Sequence, residues 1–105
     1  MSYIAQNFKN WTPVIQKYQN GRIAIEYVSR DAETGYEESE VVATVNLPDE
    51  ECGPDEVWVK NWSENEGILE LMQEAGHISD IVDTATTGWV QAYKCKVLLP
   101  TATEI

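Results

Sequence analysis

Hydrophobic and polar positions alternate with a period of two from Arg22 to Arg30, placing Ile23, Ile25 and Tyr27 on one face of a strand and Ala24, Glu26 and Val28 on the other. Asn20-Gly21 precedes this strand as a turn signal, and Asp31-Ala-Glu-Thr-Gly35 follows it as a longer hairpin loop. Glu38 to Leu47 reads as the return strand, with Val41, Ala43, Val45 and Leu47 on one face and Pro48 ending it. Val57-Trp-Val-Lys60 is dense in β-formers and makes a third strand. The period then changes. Ile68, Leu71, Met72 and Ala75 fall on one helical stripe, Gly76 suits a left-handed C-cap, and Ser63-Glu-Asn-Glu66 fits a capping box, so a helix is expected over about residues 64–75. Ile78 to Val82 reads as a short extended piece. Gly88 to Leu98 is expected to be a long final strand, with Trp89, Tyr93, Cys95 and Val97 on one face and Lys94 and Lys96 on the other.

The ends of the chain are less informative. Val14, Ile15 and Tyr18 fit either a short strand or one helical turn, with Pro13 able to start both, so residues 1–20 receive no fixed element. Residues 100–105 are expected to fray beyond Pro100. The sum is one α+β domain over residues 1–105, a small, mostly antiparallel sheet of four to five strands with one helix packed on it.

Charge changes this picture more than composition does. Eighteen acids against seven Lys and Arg give a net charge of −11, and residues 31–93 alone carry −15 while both ends are weakly basic. A surface of this sign repels a nucleic-acid duplex or an anionic membrane, so neither is expected as a direct partner. The start of the chain lacks the basic-then-apolar order of a signal peptide, and no apolar run is long enough to span a bilayer, which leads to the expectation of a cytoplasmic protein.

Candidate chemistry is sparse. One histidine, His77, and two distant cysteines, Cys52 and Cys95, form no metal-ligand spacing, and no phosphate-binding glycine motif occurs. Asp49, Glu50, Glu51 and Asp55 offer oxygens to calcium but without the ligand order of an EF-hand, and a solvated loop is the better reading. His77 is assigned to the terminal carbonyls of the helix, Cys95 to the core, and Cys52 to an acidic setting that quiets its thiol, with no disulfide between the two cysteines. Neither a cofactor nor a catalytic residue is expected. Most of the four tryptophans and five tyrosines are needed to fill a thin core, and Trp62, beside the expected cap, is singled out as an interface anchor.

Four stretches are distinctive together: Asn20-Gly-Arg-Ile-Ala-Ile25, Thr44-Val-Asn-Leu47, Val57-Trp-Val-Lys-Asn-Trp-Ser-Glu-Asn-Glu-Gly67 and Gly88-Trp-Val90. They resemble a family of small phage, mobile-element and bacterial proteins catalogued only as a domain of unknown function. The resemblance spans about residues 18–98, is most specific over Lys60–Gly67, and implies a phage or mobile-element setting with no catalytic residue to carry over. Capping accounts for Ser63 and Glu66, while Lys60, Trp62 and Asn65 either fix the strand-to-helix corner or contact a partner, the corner being the favoured reading. Combined with the charge, this gives the expectation of a non-enzymatic acidic binding protein, a nucleic-acid mimic that inhibits a host defence protein by occupying its basic surface. The residues assigned to that surface are Asp49, Glu50, Glu51, Asp55, Glu56, Trp62, Glu64, Glu70 and Glu74. The alternatives are a homo-oligomeric accessory domain joined through a sheet edge and a small-ligand-binding protein with tryptophans lining its pocket.

Overall fold

A computed structural model describes Ile4, residues 8–30 and residues 33–99. The fold is α+β, with antiparallel strands in two sheets. Strands β1 (Trp11–Lys17), β2 (Ile23–Arg30) and β3 (Glu37–Val42) form the first sheet in the order β1-β2-β3. Strands β4 (Thr44–Val45), β5 (Glu56–Val59), β6 (Asp83–Thr87) and β7 (Val90–Lys96) form the second in the order β4-β5-β7-β6. Helix α1 (Ile68–Glu74) lies between β5 and β6 in the chain. The expected tail at residues 100–105 lies outside the described residues, as does Asp31-Ala32 of the expected hairpin loop.

The described residues form seven strands where four or five are expected, and the largest difference lies at Ala43. The return strand is not one uninterrupted element. Up to Val42 it pairs with β2, placing Val41 opposite Tyr27; from Thr44 it pairs with β5, placing Thr44 opposite Val59 and Val45 opposite Trp58. Residues directly opposite in an antiparallel pair share a face. Val41, Ala43 and Thr44 therefore look toward the main core, and the alternation slips by one residue between Ala43 and Thr44. Ala43 donates its N–H to Ile25 O and accepts from Lys60 N–H, both at 2.8 Å, so it welds the two sheets together. Val45 and Leu47 consequently pack with Trp58 on the opposite side of the second sheet, not with Val41 and Ala43.

Two hydrophobic clusters result. The larger joins Ile23, Ile25, Tyr27, Val57, Val59 and Cys95 to Ile68, Leu69 and Met72 of α1. The smaller contains Trp58, Ala85 and Ala92, covered by Val45, Leu47, Cys52 and Trp62. Thus α1 covers one face of β5 and β7, and the loop of residues 46–55 covers the other.

The capping box is not formed. Ser63–Asn65 is a separate 3-10 turn, and Ser63 has φ 57, a left-handed conformation incompatible with the extended backbone of an N-cap. The helix begins later, after Gly67 at φ 89, and it is Asn61 Oδ1 that accepts the Leu69 N–H at 3.0 Å. This later start rotates the buried stripe to Ile68, Leu69 and Met72, leaving Leu71 half-buried and Ala75 exposed. Asn61→Ala should cost about 0.5–2 kcal/mol, whereas Ser63→Ala should stay within about 0.5 kcal/mol of wild type. Thermal melts of the two variants check this, and an equal loss in both would restore a capping role to Ser63. The C-terminus does follow expectation: Gly76, at φ 77, donates to Gln73 O and His77 N–H to Met72 O, the Schellman pattern.

Candidate functional site

The acidic loop between β4 and β5 is held by two cations that reach its backbone. The Arg22 guanidinium donates to Leu47 O at 2.6 Å and to Glu50 O at 2.7 Å, with a longer contact to Pro48 O at 3.5 Å. From the sheet below, Lys94 Nζ lies 3.4 Å from Glu51 O, 3.8 Å from Glu56 Oε1 and 3.9 Å from Asp83 Oδ2, and 5.5 Å from the ring centre of Trp58. A buried ammonium is tolerated only with such partners. Glu56 also accepts the Gly53 N–H at 2.7 Å, closing the turn that ends the loop. Asn20 Nδ2 reaches Asn46 Oδ1 at 3.2 Å and ties the first hairpin to the loop's start.

This arrangement sorts the candidate residues. Asp49, Glu50, Glu51 and Asp55 are exposed on the anchored loop. Glu56 is half-buried and faces Lys94, so its carboxylate is part of the anchor. Trp62 is half-buried against the smaller cluster, on the same side of the sheet as the loop. Glu70 and Glu74 are exposed on α1, which packs on the opposite side, and the Glu64 side chain lies outside the described residues. The loop group and the helix group are therefore separated by the sheet, where the sequence reading needed them on one continuous face. Lys60 and Asn65 stand at the corner: Lys60 N–H bonds Ala43 O, and buried Asn65 donates Nδ2 to Val42 O at 2.8 Å, fastening the 3-10 turn to β3.

Sequence reasoning assigned the wrong partner to His77 and the wrong place to Trp89. His77 Nδ1 lies 2.8 Å from the Tyr27 hydroxyl, and its ring packs beside Phe8 and Tyr27, while only its backbone N–H serves the helix end. Burial pushes the His77 pKa down and the Tyr27 pKa up, so the pair is favoured as neutral imidazole and neutral phenol. Trp89 is not on the core face of the last strand; it occupies the two-residue turn joining β6 to β7 and is fully exposed. Gly88, at φ 61, takes the first position of that turn, as a type II′ hairpin requires, so Val90 becomes the first strand residue. The whole of β6 was missed. The contributions of Arg22 and Lys94 were missed as well, and no local pattern marks them because their acceptors lie 25 to 43 residues away.

Both cysteines are free. Cys95 is buried and its pKa is pushed up to about 11 by burial, with Asp80 adding to the effect. Cys52 donates its thiol to Glu56 O at 3.1 Å, and burial, more than the nearby acids, raises its pKa. Among the described residues, no three His, Cys, Asp or Glu side chains are grouped to hold a metal ion, and no helix is long and apolar enough to cross a membrane. No protein-family model, curated protein or solved structure matches this chain.

Proposed function

We propose that the chain is a non-enzymatic binding protein whose acidic loop engages a basic, nucleic-acid-binding surface of a partner protein. Phage or mobile-element origin, and action in the host cytoplasm against a defence protein, complete the reading; the resemblance of Lys60–Gly67 and its companion stretches supports the setting. The observation that carries the proposal is the way the loop is anchored. Arg22 directs its guanidinium to backbone carbonyls, and Lys94 to a carbonyl and to Glu56, while Asp49, Glu50, Glu51 and Asp55 point into solvent. Negative charge is thus presented from a backbone fixed at several points, which lowers the ordering entropy lost on binding. Carboxylates so displayed speed encounter with a basic groove and lose that advantage as salt rises.

The test compares the wild-type chain with a variant carrying Asp49→Lys, Glu50→Lys and Glu51→Lys. Exposed charges contribute little to folding, so melting temperature should hold or rise slightly as repulsion is relieved. Host proteins recovered on the immobilised chain are loaded with a fluorescent DNA duplex, and displacement is followed over time. Wild type should release the duplex, more slowly at higher salt, and the triple variant should associate at least tenfold more slowly. Equal on-rates for the two chains would overturn the reading.

A further inference from the structure

Four strands are paired on one side only: β1, β3, β4 and β6. Strands β3 and β4 run into one another at Ala43; β3 is acid-rich (Glu-Glu-Ser-Glu-Val-Val) and β4 is two residues long, and both features discourage further pairing. The far edges, β1 and β6, differ in protection. Strand β1 contains Pro13, which has no N–H to offer, and ends in Lys17. Both features discourage pairing with another strand. Strand β6 has the sequence Asp-Thr-Ala-Thr-Thr, with neither proline nor lysine, and Asp83, Thr84 and Thr86 are exposed. Large exposed apolar side chains flank it at both ends: Ile81 and Val82 before it, Trp89 after it. Of the two far edges, this is the less protected.

The turn fixes which backbone groups of β6 face away from β7. A two-residue loop closes on a hydrogen-bonded pair, here Thr87 with Val90, so Thr87, Ala85 and Asp83 address β7 and Thr84 and Thr86 direct N–H and C=O outward, where the Thr84 N–H meets Asp83 Oδ1 at 2.8 Å. We propose that this edge pairs antiparallel with β6 of a second copy, centred on Ala85. That register sets Thr84 opposite Thr86 of the other copy, twice over, and uses the outward groups of both strands, the Thr84 N–H exchanging Asp83 Oδ1 for a carbonyl of the second copy. It also brings the Ile81-Val82 end of one copy to the Gly88-Trp89 turn of the other, so the apolar residues at one end lie beside the exposed indole at the other. Asp83 falls opposite Thr87 and away from its own equivalent. A register centred on Thr84 or on Thr86 loses half of the hydrogen-bonded pairs and leaves Ile81 and Trp89 apart. The self-complementarity of the edge is what selects a second copy over an unrelated strand. Each copy carries −11, so this contact tightens as salt rises, the reverse of the behaviour given above for the acidic loop, on which it does not depend.

Sedimentation of the full chain over a hundredfold concentration range should show a monomer of 11.9 kDa giving way to a dimer of twice that mass. Trp89→Ser should weaken the dimer at least tenfold and Thr86→Lys should abolish it, both without lowering the melting temperature. Register is read by mixing Thr84→Cys chains with Thr86→Cys chains under mild oxidation: the mixed disulfide should exceed either self-linked product. A chain that stays monomeric at every concentration overturns the proposal. A dimer indifferent to Trp89→Ser and Thr86→Lys overturns it too, as do self-linked products matching the mixed one.

Discussion

Met72→Ala should lower the unfolding free energy by about 2–5 kcal/mol, the range for removing a buried methionine side chain and leaving a cavity. Met72 is fully buried between α1 and the main core, in the cluster that also holds Val57, Val59 and Cys95. Only seven residues form this helix, too few to persist in isolation, so its stability comes from the residues it docks. Urea titration should move the midpoint down with little change in slope, and Met72→Leu, which nearly conserves volume, should cost less than about 1.5 kcal/mol. A Met72→Ala chain as stable as wild type would mean that α1 is not seated on the sheet.

Lys94→Met should cost about 2 kcal/mol, below the range for breaking a fully buried ion pair because both partners keep some access to water. The substitution retains an apolar stem over Trp58 but leaves Glu56 facing a neutral residue, with the Gly53 N–H as its remaining donor. Adding Glu56→Gln should recover part of the loss, and the double-mutant cycle measures the coupling directly. Strict additivity of the two substitutions would show that Lys94 acts through the Glu51 carbonyl or the indole instead of the carboxylate. The loop should also become more susceptible to proteolysis between Asp49 and Asp55 in Lys94→Met, because one of its two anchors is gone.

Legibility in the sequence followed burial. Strand β2 was evident because its alternating residues face solid core, with Ile23, Ile25 and Tyr27 all buried. The Gly76 helix end was evident because a left-handed position favours glycine. Strand β6 was not, since an edge strand with only Ala85 buried has no apolar alternation to display. Trp89 misled for the opposite reason: a large indole reads as core, yet it sits in a turn that Gly88 alone specifies. The slip at Ala43 has no local signal, because it is set by two hydrogen bonds to residues far along the chain. The acids of the candidate site were plain in composition, but their division across the sheet depends on which face α1 and the loop each cover.

The strand order carries a consequence for synthesis on the ribosome. Strands β1, β2 and β3 pair in the order in which they emerge, by short antiparallel connections, and can zip up as soon as they are made. Strand β5 cannot complete its pairing in the same way, because the neighbour on its far side is β7, the last strand among the described residues. Until residues 90–96 arrive, Val57, Trp58 and Val59 present an unpaired, strongly apolar edge in a nascent chain that is otherwise half-folded. Translation that stalls before Val90 therefore leaves a sticky intermediate, and the arrival of β7 is the step that removes its exposed edge.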